Sequence, residues 1–87
     1  MQDRAYTQTT IDLADPRTQR AITIAADAGQ WARCTRRDGR KLFGIPSSTP
    51  NVRYLTDATF CSCPDQIYTP QRACKHIIAV RIHEALS

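Results

Sequence analysis

Residues 1–14 are polar and rich in Thr and Gln, with Ile11 and Leu13 alternating with polar neighbours. That pattern predicts a flexible N-terminal tail. Asp15-Pro16 then gives a helix start, with Asp as N-cap and Pro at the first helical position. Ala21, Ile22, Ala25 and Ala28 follow as one apolar stripe at helical spacing, and Gly29 suits the C-cap, so a helix is expected over 15–29. From Gln30 the period changes to two. Asp38-Gly39 is a two-residue hairpin signal. A hairpin centred there pairs Cys34 with Phe43 and Ala32 with Ile45 on one apolar face. The other face would carry Trp31, Arg33, Thr35 and Arg37, with Arg40 and Leu42. A turn-rich connection, Ile45 to Asn51, leads to a third strand, Val52 to Thr56. Residues 66–73 read as a loop, and the run Ile77, Ile78, Ala79, Val80, Ile82, Ala85, Leu86 predicts a closing helix from about Lys75 to Leu86. The expected fold class is α+β: an N-terminal helix, a three-stranded antiparallel β-meander and a C-terminal helix. After the tail, residues 15–87 read as one domain, with helix 15–29, hairpin and third strand 30–60, and a knuckle with its helix over 61–86.

The chemistry is concentrated where the last strand meets the last helix. Cys61 and Cys63 form C-x-C; Cys74 and His76 form C-x-H ten residues later. Three sulfurs and one imidazole are the donors of a closed tetrahedral zinc site. In an extended segment, positions i and i+2 point to one face, so the first pair can converge as the chain turns at Pro64-Asp65. The second pair falls on the first helical turn. The residues thus predict one structural Zn2+ held by Cys61, Cys63, Cys74 and His76, with the C-terminal half folded around it. Disulfides or a redox pair are the two alternatives. Disulfides suit a secreted chain, and the first residues, Met1 to Ala5, lack the apolar stretch of a secretory signal. A redox pair normally has a two-residue gap within a βαβ pattern. Cys34 is expected to be a buried small hydrophobe outside the metal shell. His83, two helical turns after His76, shares its face but is not needed as a donor.

Cys61-Ser62-Cys63-Pro64-Asp65, followed by Cys74-Lys75-His76-Ile77-Ile78-Ala79-Val80, resembles the SWIM-type zinc finger, whose pattern is C-x-C, a variable spacer, then C-x-H. The likeness is close over Cys61 to Val80 and looser over Trp31 to Leu86. It implies a strand-strand-helix zinc module of the kind found in chromatin-remodelling ATPases, some transposases and a signalling kinase. The role the resemblance implies is binding to DNA or to another protein.

Length and composition alter this picture little. With 87 residues, one domain is expected, and a core that small gains from a metal staple. No apolar run is long enough for a membrane span. The net charge of +4 falls by one when three thiolates take a divalent ion, leaving a modestly basic chain. Its cations cluster at the hairpin: Arg36, Arg37, Arg40 and Lys41 at the tip, with Trp31 and Arg33 along the strand. Guanidinium groups fit phosphate and an indole can stack on a base, so Trp31, Arg33, Arg36, Arg37, Arg40 and Lys41 form the candidate nucleic-acid surface. A solvated hairpin tip is the plainer reading. A catalytic zinc would keep an open position. Four strong donors here leave none, and neither paired carboxylates nor a glycine-rich phosphate loop is visible, so the expectation is a binding module and not an enzyme. Two function classes remain: an intracellular nucleic-acid-binding zinc module, or a protein-interaction module docking onto a larger DNA-processing protein.

Overall fold

In the computed structural model, which describes residues 13–86, helix α1 spans Pro16–Ala26. The tail expected over 1–14 lies almost wholly outside the described residues. Asp15 caps α1 as predicted: its carboxylate accepts the N–H of Arg17 at 2.9 Å, and Pro16 occupies the first turn. The helix ends earlier than expected. Asp27 is its C-cap, and a 3-10 turn, Ala28–Gln30, follows, so Gly29 is not the cap. The buried stripe is also rotated from the predicted one. Thr18 and Ala21 are buried and Ile24, Ala25 and Ala28 half-buried, whereas Ile22 is 42% exposed.

Strands β1 (Ala32–Thr35), β2 (Lys41–Pro46) and β3 (Arg53–Thr56) form an antiparallel meander in the order β1-β2-β3. Its register corrects the predicted hairpin. Cys34 pairs with Leu42, Arg33 with Phe43 and Ala32 with Gly44. The turn is one residue longer than a two-residue Asp-Gly turn. Arg36 N–H donates to the Arg40 carbonyl at 2.8 Å, Gly39 N–H donates to the Arg36 carbonyl at 2.9 Å, and Gly39 takes φ 88°. This is the three-residue loop that closes on a left-handed glycine. Because side chains alternate, a slip of one residue exchanges the faces of one strand relative to the other. Trp31 and Arg33 therefore share a face with Phe43 and Ile45, while Ala32 and Cys34 lie with Leu42 and Gly44 on the reverse.

The first of these faces is the one the helices cover. Helix α3 (Lys75–Leu86) packs against α1. Ala21, Trp31, Ile45, Ala79 and Val80 make the main core, with Phe43, Ile78 and Ile82 packed against it. Small residues at the helix contact, Ala21 and Ala79, let the two backbones approach. Trp31 meets the rings of Phe43 and His83 edge-on, each with centroids 5.2 Å away. His83 is thus a half-buried packing residue, in line with its exclusion from the metal set.

After β3 the chain turns tightly. Asp57 N–H donates to the Phe60 carbonyl at 2.9 Å, and Thr56 pairs with Cys61 across the turn. Two arginines clamp this turn. Arg40 donates to the Asp57 carboxylate at 2.6 Å and to the Thr59 hydroxyl at 3.1 Å, tying it to the hairpin. Arg81 donates to the Ala58 carbonyl at 2.9 Å, tying it to α3. Partial burial pushes the Asp57 carboxyl up, but hydrogen bonds from Thr59 and Arg40 outweigh it and leave the group below the usual carboxylate range. Among the described residues, no helix is long and apolar enough to cross a membrane.

Candidate metal centre

Cys61 and Cys63 are delivered by an extended segment that pairs back onto β3. Ser62 N–H donates to the Leu55 carbonyl at 3.1 Å, and Leu55 N–H donates to the Ser62 hydroxyl at 3.1 Å. Ser62 thus bonds outward to the strand, while the residues on either side turn their sulfurs inward. Cys63 is also the N-cap of a short helix, α2 (Pro64–Tyr68), where a plain loop was expected. Cys74 immediately precedes α3, accepting the N–H of Ile78 at 3.1 Å on its carbonyl, and His76 lies in the helix's first turn.

These elements bring all four predicted donors together. One ligand atom from each of Cys61, Cys63, Cys74 and His76 lies within 4.8 Å of every other. The Cys61 and Cys74 sulfurs stand 3.6 and 3.8 Å from His76 Nδ1. Bond lengths of 2.3 Å to sulfur and 2.0–2.1 Å to nitrogen make the sulfur–nitrogen edge of a tetrahedron about 3.6 Å. The donor set therefore fits one small tetrahedral ion and can hold a metal. All four residues are 4% exposed or less. With Ile77, Tyr54 and Ala73 they form a second, smaller core.

The surrounding hydrogen bonds point at the sulfurs. Cys61 Sγ faces the Thr56 hydroxyl at 3.3 Å and the Cys63 N–H at 3.5 Å; Cys63 Sγ accepts the Gln66 N–H at 3.4 Å. Such donors stabilise thiolate. The thiols' acidities diverge sharply. The hydrogen bond to Cys74, then burial, pushes Cys61 up, and burial pushes Cys63 up. The Cys61 thiol's hydrogen bond is the chief cause that lowers Cys74 to about 4, with His76 and the Ile77 N–H contributing. Without a cation, burial opposes ionising these neighbouring thiols together. A divalent cation reverses this, because its charge makes three adjacent thiolates favourable.

No protein-family model, no curated protein and no solved structure matches the chain. Three supporting residues were not anticipated. Tyr54 lays its ring against His76, centroids 5.2 Å apart, fixing the imidazole plane. Thr56 supports Cys61. Gln66 spans the two halves of the site: beyond its N–H to Cys63, its side-chain oxygen accepts the Cys74 N–H at 2.9 Å and its Nε2 donates to the Pro70 carbonyl at 3.2 Å. The sequence carried part of this signal, since Cys63-Pro64-Asp65 is a helix start with Pro at the first position. Gln66→Ala is expected to keep the fold yet weaken metal retention by about 10-fold, the scale of a lost supporting contact. Competition with a chromophoric chelator would measure it, and unchanged retention would contradict the role.

Cys34 is half-buried on the sheet's reverse face, outside the donor cluster. Cys34→Ala should retain one metal ion per chain and change stability by about 1 kcal/mol at most. Metal analysis of the purified variant checks this, and substoichiometric metal would return Cys34 to the ligand set.

The predicted nucleic-acid residues divide between the core and the exposed hairpin. Trp31 is in the core at 7% exposure, which removes it from any stacking surface. Arg33 lies over the Phe43 ring, 5.5 Å from its centroid. Arg36 sits 3.5 Å from Asp38, and Arg40 is bound to Asp57. Arg37 and Lys41 are exposed, with no ion pair among the described residues.

Proposed function

We propose that the chain is a structural zinc-binding module, of the SWIM type by its resemblance, that binds nucleic acid through its basic hairpin. The zinc reading rests on one observation: three buried sulfurs and a buried imidazole nitrogen, all within 4.8 Å of one another. Thiolate with imidazole suits zinc in preference to the hard divalent ions, which take oxygen. Four protein donors saturate a tetrahedral shell, so the ion's role is to join the strand end to the helix and not to activate water. Thiols kept as ligands also suit a reducing, intracellular compartment.

For nucleic acid, the supporting features are the +4 net charge and the exposed Arg36, Arg37 and Lys41 at one tip, with Arg40 and Arg33 behind them. Three phosphate contacts would give a log–log salt slope of about −3 on duplex DNA. The test is a salt titration of DNA binding by zinc-loaded chain and by the Arg36→Ala/Arg37→Ala/Lys41→Ala variant. A flat salt response, or binding unchanged in the variant, would remove this part of the reading. A second reading is favoured by exposed apolar side chains: Phe60 at 43%, Ile67 at 63% and Tyr68 at 84%. These flank the knuckle and suit a protein partner. Binding that persists at high salt and falls on Ile67→Ala/Tyr68→Ala would select that alternative.

A further inference from the structure

His76 presents a question that the metal centre leaves open. Its Nδ1 faces the sulfurs, so Nε2 lies on the ring edge turned away from them. The residue is 4% exposed, and Nε2 has no hydrogen-bond partner among the described residues. A metal-bound histidine normally donates its second N–H to a carboxylate, a carbonyl or water. His76 is among the residues lining two adjoining cavities, of about 450 and 360 Å³, which also share Cys63, Asp65 and Lys75. The larger is bordered by Arg17, Arg20 and Lys75 as well.

The carboxylates on the larger wall are already engaged. Asp15 accepts the Arg17 N–H at 2.9 Å, and Asp65 lies 3.8 Å from the Arg17 guanidinium. Arg20 and Lys75 form no ion pair among the described residues. Three groups that border this region have no acceptor among the described residues: the Arg20 guanidinium, the Lys75 ammonium and the His76 imidazole. Three thiolates on a divalent ion carry a net −1, and Arg17, Arg20 and Lys75 offset it together with the two carboxylates. A wall balanced in this way suits a singly charged oxyanion better than a dianion. Its oxygens would satisfy the orphaned imidazole N–H and the two cations at once.

We propose that this cavity is a phosphate-binding site in which Arg20, Lys75 and the Nε2–H of metal-bound His76 hold the oxyanion. The site lies at the joint of α1 and α3, so it is a surface separate from the hairpin tip. It rests on the zinc reading, because metal on Nδ1 is what makes Nε2 a donor. It does not rest on DNA binding by the hairpin.

The test is an NMR titration of zinc-loaded, isotopically labelled chain with two probes, inorganic phosphate and a dinucleoside monophosphate, with zinc content measured on the same sample. Saturable shifts at Arg20, Lys75 and the His76 ring are expected. Arg20→Ala and Lys75→Gln should each weaken binding by about tenfold, the scale of one lost charge-assisted contact. Saturation by the dinucleoside monophosphate assigns the site to a phosphodiester backbone; saturation by inorganic phosphate alone assigns it to a free phosphate group. A zinc-loaded chain that responds to neither probe, or that binds equally well after both substitutions, overturns this proposal alone. A chain that takes up no zinc overturns the metal reading and this proposal with it.

Discussion

Stripping the metal from this protein is expected to unfold its knuckle. Structural zinc contributes on the order of 10 kcal/mol to such sites at neutral pH, as much as the whole stability of a small domain, roughly 5–15 kcal/mol. The second core consists of the ligands themselves with Ile77, backed by Tyr54 and Ala73. Without an ion, that volume holds three sulfurs and an imidazole packed within 4.8 Å of one another, and burial opposes ionising Cys61 and Cys63. Residues 57–78 should lose native NMR dispersion on chelation. Helix α1 and the β1–β2 hairpin should keep part of theirs, because the Trp31 core does not include the ligands. Readdition of zinc should restore the wild-type chain. Cys74→Ser should resemble the stripped protein and not be rescued, since a serine hydroxyl is a poor replacement for a thiolate. Acid should act in the same direction, because metal binding requires deprotonated thiols. A metal-free chain with native dispersion across residues 57–86 would defeat the structural-metal account.

How far the sequence discloses this protein depends on how local each signal is. The four donors sit in two three-residue units whose spacing alone sets which donors can converge, and the structure brings all four together. Helix α3 was legible to the residue, Lys75–Leu86, since its apolar run has no competing pattern. The hairpin failed by one position because Asp38-Gly39 fits two turns equally well. Whether Arg37 belongs to the strand or the loop is decided by the whole sheet's packing, in which Trp31 must lie beside Phe43 and Ile45. That one-residue difference moved Trp31 from a supposed contact surface into the core. The rotation of α1 has a similar origin. Ile22 is the more hydrophobic candidate, yet Thr18 and Ala21 face inward because the crossing with α3 selects small side chains. Gln66 was out of reach for another reason. Its contacts reach three, four and eight residues along the chain, and they exist only once the site has formed.

The buried position of Trp31 leads to a second large effect, with a sign that separates core from surface. Trp31→Ala removes the side chain that touches Phe43, His83 and the α1–α3 contact, and nothing nearby can fill a space of that size. A loss of about 3–5 kcal/mol is expected, most or all of the stability of a chain this small. Trp31→Phe keeps an aromatic edge against Phe43 and should cost considerably less, within about 1–3 kcal/mol. A stacking residue at a nucleic-acid surface would behave otherwise. There, Trp31→Ala would leave the melting temperature nearly unchanged and weaken binding, by about 1–3 kcal/mol per stacked base. Thermal unfolding and DNA affinity measured on the same zinc-loaded variants distinguish the two. A stable Trp31→Ala chain with reduced affinity would return the indole to the surface and the hairpin to its shorter turn. An unstable one, with Trp31→Phe stable and unaltered in binding, leaves the exposed cations of the hairpin as the whole of that candidate surface.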